Sequence, residues 1–501
     1  MKLRNALLFF TLFTLLLIGA IGHSGCANIV PPTGGPRDTI PPKLIFVTPG
    51  DTTKHFTGNK IVFNFDEYID PKDIRTELIV SPVPKVDPIV DSKLKILTVK
   101  IKDTLEPNTT YTLEFGNSVR DYNEGNILKN FRYVFSTGGH IDQGSLGGTV
   151  VVAQTGKVDS TLTVLLHRKF DSPAGLKKND SAVFKDGDSA IAKDRPRYVT
   201  RIDTNGRFLF RNLQPGKYTV YAMKDEGGQH KYLSKSQLFA FADSPVVISE
   251  NTRSIALFAY AEGGDSKPAA KATGTTGTTA SKPTTSRKTA KDREKDRRLQ
   301  FQSNVANSVF DVLDTFKLTF ATGLKSFDST QLRFTDESFK DIDPRRYHYV
   351  RDTSNKIFAL YYAWPTDTKF NLILPKTFGQ DSAGRKLNKD DTITFRTKKD
   401  IDYGEIRIRI INLDMSRHPV LQMLQGDNVK YALAFTNRRE VRKILFPPGE
   451  YDLRVLYDTN GNLRWDPGQF FGKRVQPEKV APIKKKFTVK ANWDNDVDIS
   501  L

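Results

Sequence analysis

The sequence predicts an all-β protein built from tandem β-sandwiches, and three observations support this prediction. The 501-residue chain contains 33 phenylalanines and 17 tyrosines but four methionines, and aromatic side chains favour strands. Apolar residues alternate strictly in short runs such as KIVFNF at residues 60–65, which places them on one face of a strand. The same order of runs returns in the second half of the chain, so we expect a duplicated architecture of about three to four domains.

The first 25 residues have the composition of an export signal. A basic start at residues 2–4 precedes a mainly apolar run over residues 6–22, and small residues lead to Cys26, the only cysteine in the chain. This arrangement resembles the lipobox of bacterial lipoproteins, although His23 stands where an aliphatic residue is usual. The resemblance implies lipidation of Cys26 and an acyl anchor in outer-membrane lipid. An uncleaved signal anchor and an ordinary signal peptide are the alternatives.

The segment after the signal predicts an extended tether. Residues 26–39 are rich in proline and glycine, which favours an irregular, solvated chain. No acidic run follows Cys26, so the sequence leaves the periplasmic and the cell-surface face of the membrane both open.

Residues 40–138 predict an Ig-like sandwich. About seven strand-like runs are separated by turn signals such as NTT and RDYNEGN, a spacing typical of antiparallel sandwiches. In this order, the blocks FDEYID, LEPNTTYTLEFG, DYNEGN and FSTGG resemble the SbsA-type bacterial Ig-like domain of Bacteroidota lipoproteins. The resemblance covers residues 27–138. It implies a fold and an envelope location, with no catalytic residue to carry over.

Residues 144–262 predict a second, different sandwich. Its run TNGRFLFRNLQPGKYTVYAMKDEGG, at residues 204–228, resembles the carboxypeptidase-regulatory or transthyretin-like β-sandwich. Period two places Phe208 and Phe210 inward, a Pro-Gly turn follows, and Tyr218 begins the next inward face.

The segment 263–298 predicts a disordered basic linker. It has low complexity and no apolar periodicity, and it carries ten basic residues against four acidic ones. Two interpretations remain: a spacer kept soluble by its charge, or a contact with an anionic partner.

The remainder of the chain repeats the first two domains. Residues 299–398 predict a second, degenerate Ig-like domain, because Asp381 precedes Phe395 by the same 14 residues that separate Asp121 from Phe135. Residues 403–501 then predict a second transthyretin-like sandwich.

The markers of this second repeat are a turn and an aspartate. The motif FPPGEY at residues 446–451 matches LQPGKY at 213–218, and Asp458 and Asp225 each follow the tyrosine of their motif by seven residues.

The sequence gives no sign of an enzyme. Its seven histidines are scattered, and the motifs of zinc peptidases, P-loop proteins and serine hydrolases are absent. Adjacent carboxylates such as Asp66 and Glu67 would point to opposite faces of a strand, which does not suit the paired carboxyls of a glycosidase. The net charge of +19 raises nucleic acid as a partner, but no nucleic-acid-binding motif accompanies it. We therefore expect no catalytic residues and no nucleic acid.

The most polar loop is YDTNGNLRWDPG at residues 457–468. Its Asp458, Asn460, Asn462 and Asp466 have the spacing of oxygen ligands in calcium loops, and they are the candidate ligands of a structural calcium ion. The Asn-Gly pair equally suits the tight reversal of a β-hairpin, and both interpretations remain open. Trp465 in the same loop is the candidate platform for a ligand.

These features predict a non-enzymatic, lipid-anchored envelope protein. Its expected role is a binding or scaffold module with a protein partner, as an accessory of an outer-membrane complex, in which two pairs of domains on a flexible linker engage two sites. The alternative is a surface lipoprotein that binds glycan, where the positive charge favours an anionic glycan.

Overall fold

The computed structural model describes residues 10, 11, 14, 37–168, 190–250, 252–263 and 298–501. Cys26, most of the tether and most of the linker lie outside the described residues. The chain divides into two compact units, of which the first is Met1–Gln143 with Asn212–Gln214, and the second is Gly144–Arg211 with Pro215–Leu501. The described sheets form four sandwiches, which confirms the predicted all-β fold.

The first sandwich contains two antiparallel sheets with strand orders β1-β2-β5-β4 and β3-β6-β7. Its elements are β1 (Leu44–Thr48), β2 (Lys60–Phe65), a short helix α1 (Ile74–Glu77), β3 (Ile79–Ser81), β4 (Ile89–Lys93), β5 (Ile96–Lys100), β6 (Thr110–Glu114) and β7 (Arg132–Ser136). The alternation in KIVFNF becomes alternating burial, because Ile61, Phe63 and Phe65 face the core. The ring of Phe63 packs edge-on against Phe115 and Tyr133, with centroids 5.4 and 5.3 Å away, which joins the two sheets.

The second sandwich has a sheet of order β10-β9-β12-β13, with β14 also paired to β12, and a sheet of order β11-β8-β15. Its elements are β8 (Gly144–Val152), β9 (Leu162–Arg168), helix α2 (Ala190–Lys193), β10 (Tyr198–Arg201), β11 (Arg207–Leu213), β12 (Gly216–Lys224), β13 (Phe239–Phe241), β14 (Val246–Ile248) and β15 (Ile255–Ala259). The first and last strands, β8 and β15, pair in parallel.

The third sandwich has sheets of order β16-β18-β22-β21 and β17-β25-β23-β20, and a short pair β19-β24. Its strands are β16 (Phe301–Ser303), β17 (Val309–Phe310), β18 (Phe316–Phe320), β19 (Leu324–Phe327), β20 (Arg333–Asp336), β21 (Tyr347–Arg351), β22 (Ile357–Tyr362), β23 (Lys369–Leu374), β24 (Gly379–Asp381) and β25 (Asp391–Thr397). Two 3-10 helices connect them, at Ser329–Gln331 and Pro344–Arg346.

The fourth sandwich has sheets of order β29-β26-β32 and β28-β27-β30-β31. Its strands are β26 (Gly404–Ile411), β27 (Pro419–Gln425), β28 (Asn428–Ala434), β29 (Glu440–Phe446), β30 (Gly449–Tyr457), β31 (Lys479–Val489) and β32 (Asp494–Ser500), and its 3-10 helices are Asp400–Asp402 and Met415–Arg417.

The sheet orders are similar in the two halves of the chain, and the division into repeated domains stays a prediction. The order β11-β8-β15 of the second sandwich matches β29-β26-β32 of the fourth, and both sheets close with a parallel pair of first and last strands. In the two Ig-like sandwiches, Ile69 bridges Asp121 in the first, and Leu324 pairs with Asp381 in the third. The equal spacing of the two aspartates therefore reflects equal positions in the fold.

The large sheet of the second sandwich is apolar on both faces. Along β12, Tyr218 and Val220 point into the core, whereas Tyr221 and Met223 alternate to the outer face, and all four are buried. Phe239 on β13 pairs with Met223 and is also fully buried. An outer face of this composition requires a cover, and part of that cover comes from the fourth sandwich.

Candidate functional site

The candidate site is the loop of residues 458–478, which joins β30 to its antiparallel partner β31 and is called the long loop below. The long loop starts at Asp458, whose side chain is buried with 1% of its surface exposed. Its carboxylate accepts hydrogen bonds from the backbone N–H groups of Gly461 and Leu463, both at 2.7 Å, and of Asn460 at 3.2 Å. Gly461 and Leu463 have φ values of 75° and 62°, so the chain reverses tightly around the carboxylate.

The three other candidate calcium ligands lie together beyond this reversal. The side-chain Nδ2 atoms of Asn460 and Asn462 donate to Oδ2 of Asp466 at 2.7 and 2.8 Å. Their Oδ1 atoms accept the backbone N–H groups of Asn462 and Arg464.

This bonding bears on the metal hypothesis. The carboxylate of Asp458 and the amide oxygens of Asn460 and Asn462 face N–H donors rather than a common point, so bound calcium would have to replace these hydrogen bonds. The described residues contain no group of three or more His, Cys, Asp or Glu that could hold a metal ion. The calcium site stays a prediction, and the hairpin interpretation agrees with the pairing of β30 and β31.

Glu478 closes the base of the long loop. Its buried carboxylate accepts from the backbone N–H groups of Thr459 at 2.6 Å and Asp466 at 3.1 Å. Trp465 donates its indole N–H to the carbonyl oxygen of Glu478 at 2.8 Å, and it is half-buried. The side chain expected to serve as a platform is therefore bonded to its own loop, and its role as a ligand platform stays a prediction.

A more exposed tryptophan lies elsewhere on the fourth sandwich. Trp493 has 61% of its surface exposed, and the Lys490 Nζ atom lies 4.9 Å from its ring centroid. Nothing in the local sequence pattern of Trp493 distinguishes an exposed turn residue from a buried one, so the sequence assigns it no role.

The second half of the long loop carries a buried aromatic anchor. Phe470 is fully buried although it lies in a loop, and its neighbours are aromatic side chains of the second sandwich. The ring centroids of Phe239, Phe241 and Tyr221 lie 4.8, 5.2 and 5.7 Å from that of Phe470. Phe470 thus covers part of the apolar outer face of the second sandwich.

Polar groups fix the backbone around this anchor. The backbone N–H of Phe470 donates to Oε1 of Glu262 at 2.9 Å. The Nε2 atom of Gln476 donates to the carbonyl oxygen of Phe241 at 3.0 Å and to Oδ1 of Asp243 at 2.7 Å. The loop is therefore held in a defined position by hydrogen bonds as well as by apolar contact.

A second contact joins the same two sandwiches. Arg454 on β30 is buried, with 8% of its surface exposed, and burial lowers the pKa of its guanidinium to about 10. Its Nη1 donates to the carbonyl oxygen of Gln154 at 2.7 Å, and its Nε donates to Oε1 of Gln422 at 2.7 Å. Near this contact Gly156 has φ 67°, and a Cβ atom there would lie 2.4 Å from Cδ of Pro482. A glycine is thus required for the close approach.

Phe470 was not among the predicted site residues, which were the polar residues and the tryptophan of the long loop. A signal was present, since the run GQFFG places two phenylalanines between glycines in an otherwise polar segment. The partner of such a pair lies more than 200 residues away in the chain, and no local pattern identifies it.

Comparison with known proteins supports a bacterial Ig-like identity for one part of the chain. A family profile described as bacterial Ig-like domain matches residues 38–137, the first sandwich. A search of curated proteins found no match. No described helix has the length and apolar character needed to cross a membrane.

Several solved structures are similar to the chain at low identity. The Bacillus anthracis TIE protein is 11% identical, with a TM-score of 0.15 over 93% of this chain and 75% of that one. BcpA, the major pilin subunit of Bacillus cereus, is 9% identical, with a TM-score of 0.16 over 72% and 99%. The S-layer protein SbsC is 11% identical, with a TM-score of 0.15 over 91% and 54%. At these TM-scores the similarity carries no information on function.

Proposed function

We propose that the protein is a non-enzymatic binding or scaffold module of the bacterial cell envelope. The observation that carries the proposal is the match of residues 38–137 to a bacterial Ig-like domain, a fold that offers loops and strand edges for binding. Two buried carboxylates agree with it, because those of Asp121 and Asp458 accept backbone N–H groups of their own loops.

The proposed location is the outer membrane, through a lipid on Cys26. This part rests on the order of basic, apolar and small residues before the cysteine. We expect Cys26→Ala to release the protein from the membrane fraction, and globomycin to make the uncleaved precursor accumulate in the membrane. A Cys26→Ala protein that stays fully in the membrane would refute the anchor.

The proposed contact with a protein partner is strand β1 of the first sandwich. It is an edge strand, and Ile45 and Phe46 have 60% and 56% of their surfaces exposed. An apolar edge strand can pair with a strand of a partner protein, because its outer row of backbone groups has no neighbouring strand.

Affinity purification from detergent-extracted membranes tests this role. We expect an outer-membrane protein in stoichiometric amount, and its loss with an Ile45→Lys/Phe46→Lys double variant. Val247→Lys is the matched control, because Val247 is equally exposed on a strand of another sandwich. Equal recovery from both variants would contradict a role for β1.

Glycan binding is the second candidate, and the exposed indole of Trp493 beside Lys490 favours it. An indole face stacks on sugar rings, and an ammonium group attracts acidic sugars. In this case the purified protein, free of partners, would be retarded in a gel containing an anionic polysaccharide. Trp493→Ala would abolish the retardation. The variant Trp465→Ala would show whether the tryptophan of the long loop also contributes to it.

A further inference from the structure

The long loop belongs to the fourth sandwich, yet its aromatic end is buried in the second. We propose that the second sandwich is a docking receptor for this loop, and that the docked loop holds the two halves of the chain together without help from the linker. The clasp, as we call it, consists of Phe470 in its aromatic pocket and the Arg454–Gln154 contact.

The anchor has the features of an interface hot spot. Phe470 is completely removed from solvent, and Phe239 and Phe241 of the receptor are buried with it. Central, fully desolvated aromatic side chains dominate binding energy at protein interfaces. Phe471 adds to the contact, since its ring stacks on Tyr232 with a centroid distance of 5.6 Å and an interplanar angle of 16°.

Polar contacts surround this centre, as they do in specific interfaces. Glu262 accepts the N–H of Phe470 and pairs with Lys235 at 3.5 Å, and Gln476 donates to the receptor strand. Lys479 places its Nζ 4.1 Å from the ring centroid of Phe258, a cation–π contact at the margin. Each of these groups joins one sandwich to the other or supports a group that does.

The Arg454 contact is independent of the loop. It uses the outer face of β27 and β30, where Gln422 and Leu456 are also buried. A buried guanidinium without acceptors would be costly, and the carbonyl oxygen of Gln154 in the second sandwich satisfies one of its donors. The fourth sandwich thus needs the second in order to satisfy a polar group of its own.

The two repeats differ at the position where docking occurs. In the second sandwich the equivalent loop, residues 225–238, folds Tyr232 onto its own sheet, where it stacks on Phe239 with a centroid distance of 4.2 Å. In the fourth sandwich the loop is longer, 458–478, and carries its aromatic residues to the neighbouring sandwich. The extension appears in one copy of the repeat and fits a surface present on the other.

The test uses the full chain with a site-specific protease sequence inserted between residues 275 and 285. After cleavage we expect both fragments to elute together in size-exclusion chromatography at the mass of the intact monomer. Phe470→Asp should separate them, with a dissociation constant raised about 30-fold or more. Phe339→Asp is the matched control, because Phe339 is an exposed phenylalanine of the third sandwich, and it should leave the fragments together.

A second pair of variants consists of a substitution in the receptor and a control substitution in the fourth sandwich. Gly156→Ala places a methyl group against Pro482 and should weaken the complex. Gly426→Ala has a similar positive φ but nothing within 4 Å of the new Cβ, so it controls for backbone strain alone. Phe470 lies outside the core cluster of the fourth sandwich, and an unchanged circular dichroism spectrum would show that the variants remain folded.

Three results would overturn the proposal. The first is separation of the cleaved wild-type fragments. The second is cleaved Phe470→Asp protein that stays together as firmly as the wild type. The third is an uncut chain that elutes at twice its mass and is dissociated by Phe470→Asp, because this would assign the receptor to a loop from a second copy. None of these results bears on the envelope role, which the membrane experiments test separately.

Discussion

Single buried aspartates organise a loop in each of the four sandwiches. Asp225 and Asp458 follow a strand, Asp381 ends one, and Asp121 lies in an isolated β-bridge. The carboxylate of each accepts backbone N–H groups of the residues that come next. Aspartate suits this position because a short carboxylate can accept several donors at once. These carboxylates therefore stabilise the conformation of their loops.

The pKa of Asp121 makes this role testable. Burial raises the pKa of its carboxyl, but the N–H groups of Gly125, Glu124 and Asn126 outweigh burial and hold the pKa below its usual value. The stabilisation from a lowered pKa is present above the pKa of the unfolded chain, about 3.9. It is lost as the pH falls through the lower pKa of the folded state.

We expect Asp121→Asn to destabilise the first sandwich by about 1–3 kcal/mol at pH 7, because an amide accepts these N–H groups less strongly. The difference from wild type should shrink towards pH 2. Hydrogen exchange of peptides from residues 44–136, measured along a urea series, reports the free energy of unfolding of this sandwich. Asp87→Asn, at an exposed position, should change it by less than about 0.5 kcal/mol. An Asp121 effect that did not depend on pH would contradict the electrostatic account.

Calcium binding to the long loop can be tested by comparing the thermal melting midpoint of the protein in calcium with its midpoint in EDTA. A structural site would raise the melting midpoint in calcium, and Asp466→Ala would remove the increase. The oxygens of Asp458, Asn460 and Asn462 already accept N–H groups, so we expect an unchanged midpoint. A rise that Asp466→Ala abolishes would establish the metal instead.

At the level of elements, a threonine at or directly after the end of the last strand joins two segments in the first and the third sandwich. Thr137, just after β7, accepts the N–H of Thr109 at 3.0 Å and donates to the carbonyl oxygen of Glu106 at 2.7 Å. Thr397, at the end of β25, accepts the N–H of Thr368 at 2.9 Å and donates to a carbonyl oxygen in the same manner. The threonine hydroxyl therefore makes the same two kinds of hydrogen bond in the first and the third sandwich.

We expect Thr137→Val and Thr397→Val to lower the free energy of unfolding by similar amounts, about 1–2 kcal/mol each, because each removes a hydroxyl that bonds a backbone N–H and a backbone C=O. Calorimetry that resolves the separate unfolding transitions would measure this. Thr392→Val is the control, since Thr392 is exposed on the same strand as Thr397. A large loss in one copy alone would show that the two threonines are not equivalent.

Strand patterns could be predicted from the sequence because they are local. Alternation in KIVFNF, the Pro-Gly turns and the spacing of Asp121 and Asp381 depend on residues within a strand or a hairpin, and the sheets bear them out. The position of Phe470 depends on a surface that Tyr221 and Phe239 form in another sandwich. Burial of this kind produces no periodic pattern in the sequence. The loop could therefore be recognised from the sequence, but the surface that buries Phe470 could not.

On the scale of the whole molecule, the clasp revises the expected two-site arrangement. The sequence suggested two pairs of domains separated by a flexible linker. In the structure the second and fourth sandwiches are in contact through Phe470 and Arg454, so the linker does not separate these two sandwiches. An increase in affinity from effective concentration would then require that the two binding sites lie on the first and the third sandwich.

A further experiment tests whether the positive charge of the linker contacts an anionic partner. Residues 263–298 hold ten of the 76 basic residues, and a variant with these ten replaced by glutamine removes that local charge. We expect the salt concentration that elutes the protein from dextran sulfate to fall only in part, because 66 of the 76 basic residues lie outside the linker. A large drop in that concentration would assign the anionic contact to the linker.

The parallel pairs that close the second and fourth sandwiches have a mechanical consequence. In β8 with β15, and in β26 with β32, the strand where the chain enters a sandwich lies beside the strand where it leaves. A pull on the two ends of such a domain loads all the hydrogen bonds between these strands in shear at the same time, whereas an antiparallel pair would open one bond after another. Under such a pull, these two parallel pairs would resist separation more strongly than an antiparallel pair.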